Sequence, residues 1–342
     1  MGIKGLTKLL MRVCPDVFVE THMKNYAYTK IAVDSAIYIC KLKMAAKEDF
    51  PHAMLSFVIT LRANKIHPIF VFDGTPPEEK KEERRRRADA IAKQFKRVER
   101  LEKALQTYKT IGKLSDELKS IKCSNRRLLV DTFDIKCMEE YVLKARSNLF
   151  NVSSSDFDVL KTILDLTNTP RIQAKGEAEA LCVQMVKNGD VKAALTTDSD
   201  ALTYGCPLLF NKINYKENTF TAVCIDDILK RLELSYEQFV DLCIMCGTDY
   251  NKNIFRIGPN RALDLIKRYG SIDEIGKTMD VSVLNHKRVK EIFTSYKEHT
   301  EQLAFASVPS YAKLNEWMIN NNVRMSVVEI RRQLENNPEF IQ

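Results

Sequence analysis

Three short apolar runs along the chain end in aspartate. They are Lys30–Asp34, Pro68–Asp73 and Ala193–Asp198, and none of them alternates apolar with polar residues. Such a run is typical of a strand that is buried on both faces, as in a parallel sheet. Because the carboxyl ends of parallel strands open onto one crevice, we expect these aspartates to lie close together. Ordinary turn chemistry is the alternative at any single one of these positions.

Helical patterns surround these strands. Predicted helices cover 6–13, 37–46, 54–64, 78–109, 157–166 and 239–246, and a further short strand covers 170–173. Ser235 and Gln238 form a capping box ahead of the helix at 239–246. The sequence therefore predicts an α/β fold with a mostly parallel central sheet flanked by helices.

Further carboxylates lie beside the ends of predicted helices. Glu177 and Glu179 fall in the first turn of a helix, where the helix dipole by itself favours acidic residues. Asp200 follows Asp198 by two residues, and Asp249 comes directly after a predicted helix. If the fold brings these side chains to the strand ends, one cavity contains a large set of acids.

The set of seven acids predicts a divalent-metal site. Its members are Asp34, Asp73, Glu177, Glu179, Asp198, Asp200 and Asp249. Close carboxylates repel one another and raise their pKa values unless cations lie between them. Ligands that are all oxygen favour Mg²⁺ or Mn²⁺ over zinc. Asp241, which lies nearby in the sequence, is interpreted as an ordinary helix residue.

Charge is distributed unevenly along the 342 residues, whose net charge is +8. Basic residues cluster at 80–103 and 252–268, which predicts separate phosphate-binding surfaces and a polyanionic partner. Lys80, Arg84 and Arg87 share one face of the helix at 78–109 and could address a phosphate beside the acids. The alternatives are a solvated helix stabilised by ion pairs or a nuclear localisation patch.

Composition indicates a globular protein of a reducing, intracellular compartment. No apolar run approaches the roughly 18 to 20 residues of a membrane span, and the first residues are too polar for a signal peptide. The nine cysteines are an odd number without a disulfide framework. We interpret the lone C-x-x-C of Cys243 and Cys246 as core packing.

A second candidate binding element follows the helix at 239–246. A Gly-Pro turn at Ile257–Pro259 leads into a new helix, so that two helices flank a turn with exposed backbone amides. Such an arrangement can bind duplex phosphates without reading bases. A plain helical hairpin is the alternative.

Several motifs occur together in a characteristic order. They are Met1–Leu6, Val33–Asp34, Val71–Gly74, Gly176–Ala180, Asp198–Asp200, Gly247–Tyr250 and Ile257–Pro259. In this order and spacing the chain resembles the flap endonucleases of the xeroderma pigmentosum group G (XPG) family of structure-specific 5′ nucleases. The resemblance covers about residues 1–90 and 157–275. It implies a PIN-like 5′ nuclease core with a helical arch and a helix–two-turn–helix that binds DNA.

The resemblance also implies the chemistry of the site. All seven acids fall on the family's positions for two Mg²⁺ ions, for which Mn²⁺ can substitute. Lys80 and Arg87 match the basic residues that the family places over the scissile phosphate. Such fixed cations stabilise the charge that develops on phosphate during hydrolysis. The implied products carry a 5′-phosphate and a 3′-hydroxyl.

The implied DNA contacts lie mainly on the helix–two-turn–helix. Asn253, Ile254 and Ile257 match positions that bind a potassium ion beside the duplex, and Arg256 stands where the family usually has glycine. Gly2 is implied to lie near the junction, with helix 6–13 as a wedge. The full set of predicted DNA-binding residues is Gly2, Tyr38, Arg84, Gly247, Arg256, Gly258, Asn260, Arg261 and Lys267.

We divide the chain into four predicted regions. They are an N-terminal nuclease region with the start of the arch (1–112), an arch insertion (113–156), an internal nuclease region (157–275) and a C-terminal helical extension (276–342). The stretch between Arg87 and Glu177 is longer than in flap endonucleases, and we expect mobile or accessory helices in the insertion. No sliding-clamp box is found, and we expect a monomer.

The sequence predicts a Mg²⁺-dependent 5′ flap endonuclease with 5′–3′ exonuclease activity on branched or flapped double-stranded DNA in replication, repair or recombination. One alternative is a member of the same family specialised for a bubble, a four-way junction or a double-strand end. A non-catalytic DNA-junction scaffold is the alternative of another class. We expect the protein in the nucleus or at another site of DNA replication, such as a cytoplasmic viral factory.

Overall fold

A computed structural model describes residues 2–119, 121, 135–149, 151–296 and 303–335. The chain divides into two compact units, the larger formed by 1–80 with 152–342 and the smaller by 81–151. Within the described ranges, no helix combines the length and apolar character needed to cross a bilayer.

The larger unit contains a seven-stranded sheet. Its strands are β1 Phe18–His22, β2 Lys30–Asp34, β3 His67–Phe72, β4 Arg171–Gln173, β5 Ala193–Leu195, β6 Leu208–Asn214 and β7 Thr219–Cys224. The spatial order is β1-β7-β6-β5-β2-β3-β4. Strands β6, β5, β2, β3 and β4 are parallel, while β7 pairs antiparallel with both β6 and the edge strand β1. The predicted mostly parallel sheet is confirmed.

Helices occur in both units, and those of the larger unit pack against the sheet. In chain order they are α1 Leu6–Val13, α2 Ser35–Ala46, α3 Phe50–Ala63, α4 Lys81–Ile111, α5 Asp116–Lys119, α6 Ile135–Ser147, α7 Ser154–Leu166, α8 Ala178–Lys187, α9 Asp200–Thr203, α10 Ile225–Leu232, α11 Tyr236–Cys246, α12 Pro259–Tyr269, α13 Ile272–Gly276, α14 His286–Thr294, α15 Tyr311–Asn320 and α16 Val327–Glu335.

The core strands are buried on both faces, as the continuous apolar runs predicted. In β2, Ile31 and Val33 face the core formed with α2, α3, α7, α15 and α16. Ala32 faces the opposite core, formed with α1, α8, α10, α11 and α12. The period of two along a strand sends successive side chains to opposite faces. Two cores therefore hold the sheet rigidly between them.

Two local predictions have clear outcomes. The capping box at the start of α11 is confirmed, because Gln238 N donates to Ser235 Oγ at 3.2 Å and Ser235 N donates to Gln238 Oε1 at 2.9 Å. The strand predicted to reach Asp198 ends at Leu195 instead. It pairs with β2 only along Ile31–Val33, so Asp198 lies in the loop that follows.

The smaller unit has its own hydrophobic cluster. Leu101 and Leu105 of α4 pack with Leu118 of α5 and with Met138 and Val142 of α6. The helix predicted at 78–109 is confirmed as a 3₁₀ turn at Glu78–Lys80 followed by the 31-residue α4.

Candidate active site

Two strands deliver aspartates to the carboxyl edge of the sheet. Asp34 ends β2 and caps α2, because its Oδ1 accepts a hydrogen bond from Ile37 N at 3.3 Å. Asp73 follows β3, and its Oδ1 accepts from Ala178 N at 2.8 Å. An amide at the first turn of a helix is a favourable partner for a carboxylate. These bonds fix Asp34 at the start of α2 and Asp73 at the start of α8.

The remaining acids come from helix starts and loops at the same edge. Glu177 is the residue directly before α8, and Glu179 lies in the first turn of that helix. Asp198 Oδ1 accepts from Asp200 N at 3.1 Å, which holds the loop after β5 against the start of α9. One carboxylate oxygen from each of Glu179, Asp198 and Asp200 lies within 4.8 Å of the other two.

Lys80 connects this triad to further acids. Its ammonium donates to Glu177 Oε1 and lies 3.7 Å from carboxylate oxygens of both Glu179 and Asp249. Burial opposes its protonated form, but the carboxylates of Glu179 and Glu177 raise the pKa of Lys80. The lysine is therefore a fixed positive charge in an anionic pocket.

The pocket is strongly anionic, and most of its acids are buried. Burial, followed by the neighbouring Asp73, raises the pKa of Asp34 to about 7. Burial and a nearby carboxylate, Glu177 for Glu179 and Asp198 for Asp200, raise the pKa of each well above its usual range. Carboxylates that are desolvated beside like charges resist ionisation.

Asp200 has the least compensated carboxylate of the set. It is fully buried, and neither Oδ atom has a hydrogen-bond partner within the described part of the chain. A buried charge with no partner is costly unless a cation is bound to it. Together with the oxygen-only donor set, this orphaned carboxylate fits a hard divalent cation.

Two residues that the sequence analysis did not single out organise these acids. Thr196 Oγ1 donates to Asp34 Oδ2 at 2.9 Å and accepts from Asp198 N at 3.1 Å, so it links the Asp34 carboxylate to the backbone of Asp198. The Tyr250 hydroxyl donates to Glu177 Oε2 and lies 3.1 Å from the hydroxyl of Tyr204. The sequence offered one indication of their role, because each of them lies within two residues of a predicted acid.

Gly2 lies against the site. It has a φ of +87°, and a Cβ added there would lie 2.0 Å from Asp198 Oδ1 and 2.6 Å from Ser199 Oγ. Ile3 N donates to the same Ser199 hydroxyl at 2.8 Å. Only glycine fits this position without moving an acid of the site.

The turn between α11 and α12 is held by asparagines. Asn251 Nδ2 donates to Ile244 O at 3.1 Å, and Asn253 Nδ2 donates to Cys246 O at 2.6 Å. Asn253 Oδ1 is buried and lacks a hydrogen-bond partner among the residues described. Arg256 has a φ of +61°, so it adopts the left-handed conformation that glycine takes readily.

Several residues predicted to bind DNA are exposed around this turn. They are Arg256, Gly258, Asn260, Arg261 and Lys267. Asn260 is held by Arg12 of α1, whose guanidinium donates to its side-chain oxygen. Ile254 O accepts from Ile257 N at 3.1 Å, which closes the turn that was predicted to hold potassium.

Two residues that were predicted to contact DNA are buried. Tyr38 is 2% exposed, and its ring stacks on Phe57 with centroids 4.5 Å apart, so it belongs to the core. Gly247 is also buried; its amide donates to Cys243 O and its carbonyl accepts from Lys4 N. Both backbone groups of Gly247 are used within the protein, so it shapes the end of α11.

Arg84 and Arg87 lie on α4 in the smaller unit. Arg84 is exposed, and Arg87 is half-buried with its Nε donating to Glu83 Oε1 at 3.0 Å. Their predicted roles at a phosphate stay predictions. Asp241 has a structural role, as expected, because it pairs with Lys290 at 2.7 Å and accepts from Ile272 N.

Comparisons with known proteins agree with this site. The XPG N-terminal domain model matches residues 1–94, and the XPG I-region model matches residues 168–249. The chain is 31% identical to "Probable RAD2-like endonuclease 369L" of Invertebrate iridescent virus 6, over 98% of this chain and 92% of the relative. It is 35% identical to flap endonuclease 1 of Macaca fascicularis, over 82% of this chain and 70% of the relative.

A solved structure gives the same answer for the fold. The catalytic core of Rad2 in complex with DNA substrate superposes with a TM-score of 0.68 over 97% of this chain and 99% of that chain, at 16% identity. The matched sequence regions contain all seven acids and Lys80. The chain therefore belongs to the XPG family of nucleases, as a relative of the flap endonucleases.

Proposed function

We propose that the protein is a Mg²⁺-dependent 5′ flap endonuclease, with 5′–3′ exonuclease activity, that hydrolyses DNA at branched intermediates by a two-metal mechanism. The convergence of seven carboxylates around Asp200, which is fully buried and has no hydrogen-bond partner among the described residues, carries this proposal. A non-catalytic scaffold has no use for an anionic pocket that repels phosphates. The similarity in fold to a nuclease whose structure was solved with its DNA substrate supports DNA as the proposed substrate.

The seven acids are proposed to hold two divalent ions. When bound, such ions lower the pKa of water and neutralise the charge on the attacking and leaving oxygens. Asp34, Asp73 and Glu177 are already anchored by hydrogen bonds, so ordering them at the moment of reaction costs little.

Lys80 is proposed to act on the scissile phosphate. Its ammonium lies among the acids and stays protonated, so it can stabilise negative charge that accumulates in the transition state. Arg87 is proposed for the same task from family resemblance. Tyr250 keeps Glu177 oriented from the side opposite Lys80's contact, since the two residues use different carboxylate oxygens.

Gly2 and the α11–α12 turn are proposed to position the DNA. Gly258 and Asn260 at the start of α12 and the basic residues that follow are exposed and can bind duplex phosphates. We propose a K⁺ ion beside Asn253, whose buried Oδ1 lacks a partner among the described residues. The carbonyls of Ile254 and Ile257 complete the proposed ligand set.

The first experiment compares wild type with Asp200→Asn on one labelled panel with Mg²⁺. The panel contains a 5′ flap, nicked duplex, bubble, four-way junction, double-strand end and single strand. We expect incision near the base of the 5′ flap by wild type only, with DNA binding retained by the variant. If wild type preferred another junction, that junction would replace the 5′ flap as the proposed substrate. If wild type bound DNA without cutting it, the result would support a non-catalytic scaffold.

Mutation of a partnered surface acid provides the matched control. Glu274 of α13 is exposed and pairs with Lys277 at 2.7 Å, so Glu274→Gln removes one negative charge outside the site. We expect it to cut like wild type. The proposed setting is a compartment where DNA is replicated or repaired, and the proposed active species is a monomer.

A further inference from the structure

The most exposed large hydrophobic side chain in the described part of the chain is Phe255, which is 83% exposed. It lies at the tip of the turn between α11 and α12. Single exposed hydrophobic residues are common on protein surfaces and need no explanation by themselves. Three independent features of this turn distinguish Phe255 from such a residue.

The first feature is the rigidity of the turn. Asn253 Nδ2 bonds to Cys246 O, and the amide of Ile257 bonds back to Ile254 O, on either side of Phe255. A surface aromatic on a flexible loop could fold back onto the protein. Here the backbone is fixed on both sides, so the ring is held in solvent.

The second feature is the residue that follows. Arg256 has a φ of +61°, a conformation that is strained for a residue with a side chain but is readily adopted by glycine. Its guanidinium carbon lies 5.0 Å from the centroid of the Phe255 ring. The turn therefore contains a strained residue, Arg256, whose guanidinium lies against the ring of Phe255 at the tip.

The third feature is the charge around the ring. Between residues 251 and 269 the chain has five basic residues, Lys252, Arg256, Arg261, Lys267 and Arg268, and one acidic residue, Asp264. An apolar ring within a basic surface matches a duplex groove, where deoxyribose and base edges lie between two rows of phosphates. An apolar protein partner would not favour so many charges around the ring.

We propose that Phe255 enters the minor groove of a duplex arm while Arg256 contacts the flanking phosphate. Apolar side chains used in this way pack on sugars or wedge between base steps. The contact adds binding energy without demanding a base sequence, and it fixes how far the duplex can slide along the turn. This inference rests on the proposed function, because it assumes that the turn binds duplex DNA.

The test measures binding of a flapped nicked duplex with Ca²⁺ in place of Mg²⁺, for wild type, Phe255→Ala and Phe255→Trp. We expect Phe255→Ala to weaken binding by about 5- to 50-fold, as for loss of an aromatic contact with nucleic acid, and Phe255→Trp to retain it. Ile319→Ala is the matched control, since Ile319 is 68% exposed on α15. Thermal unfolding confirms that each variant is folded.

Salt dependence separates an apolar contact from a phosphate contact. Phe255→Ala should leave the slope of log Kd against log salt unchanged, whereas Arg261→Ala should reduce it by about one. The duplex arms are then shortened one at a time. The difference in Kd between wild type and Phe255→Ala should disappear when one particular arm is shortened and persist when the other is. A Kd for Phe255→Ala equal to that of wild type, or a loss shared equally by single strands, overturns the inference.

The same measurements distinguish the two proposals. If wild type binds the duplex but cuts no substrate with Mg²⁺, the proposed function fails, and the binding ratio still decides the role of Phe255. If wild type cuts a flap and Phe255→Ala binds as tightly, only the inference about Phe255 fails. Protein that neither binds nor cuts DNA overturns both.

Discussion

Replacing Asp34 with asparagine is expected to stabilise the metal-free protein at neutral and alkaline pH. Burial, followed by the neighbouring Asp73, raises the pKa of Asp34 from 3.8 to about 7. Between these values the folded protein binds more protons than the unfolded chain, so the free energy of unfolding falls as pH rises. At about 1.4 kcal/mol per pH unit, the loss reaches roughly 4 kcal/mol above pH 7.

Asparagine preserves the shape of the site at this position. It caps a helix as well as aspartate does, so the bond from Ile37 N is kept. The Thr196 hydroxyl, which donates to Asp34 Oδ2, can rotate and accept from the new amide. The difference between variant and wild type therefore isolates the charge of Asp34.

Urea denaturation in EDTA at a series of pH values measures this difference. We expect Asp34→Asn to be more stable by up to roughly 4 kcal/mol at about pH 8, with the advantage shrinking toward zero near pH 4. Saturating Mg²⁺ should reverse the order, because a ligand that binds only the folded state stabilises it. Cleavage should be lost.

Asp156→Asn is the control with the opposite sign. Asp156 is buried, but it accepts from Lys43 at 2.7 Å and from Ser153 N at 2.9 Å. Burial acts against these bonds, yet they prevail and lower its pKa. Its contribution to stability is present above the unfolded pKa and is lost as pH falls, so Asp156→Asn should destabilise the protein at neutral pH. A pH-independent effect of Asp34→Asn, or a loss of stability at about pH 8, would refute the reasoning.

Three further substitutions test other parts of the site. Lys80→Met should slow single-turnover cleavage by on the order of 10². In the absence of DNA the same substitution should tighten Mg²⁺ binding, measured by thermal shift. Unchanged Mg²⁺ affinity would argue against competition between the ammonium and the metal. Gly2→Ala should reduce cleavage sharply because its Cβ meets Asp198, whereas Gly189→Ala, which has a similar φ of +79° and open space, should cut normally. Asn253→Ala should remove any preference for K⁺ over Na⁺ in duplex binding, and an intact preference would place the ion elsewhere.

The sequence predicted the central strands and their acids because both are consequences of local pattern. The run Lys30–Asp34 is apolar on both faces, which only a strand between two cores accommodates, and its last residue must then lie at the carboxyl edge. The same logic placed Asp73 directly after β3. It did not reveal β1 and β7, which pair antiparallel at the sheet edge and are only partly buried.

Tyr38 shows why side chains on helices were harder to predict. Its place after Asp34 suggested a stacking role, but α2 begins at Ser35 and turns Tyr38 toward α3, where it stacks on Phe57. Sequence spacing gives the face that residues of one helix share. Which face of the helix is buried depends on a second helix that packs against it. That packing cannot be predicted from the sequence of either helix alone.

The acids and Tyr38 therefore differ in what determines their position. A carboxylate at a strand end is positioned by the register of the sheet, which persists even when its burial is unfavourable. Asp200 lies beyond β5, at the start of α9, and is fully buried with both oxygens unpartnered among the described residues. No gain in stability of the metal-free fold accounts for such a residue, since a buried charge without a partner costs free energy. The packing of the two cores around the sheet must offset that cost in the metal-free protein. A bound cation would remove the cost and stabilise the folded state.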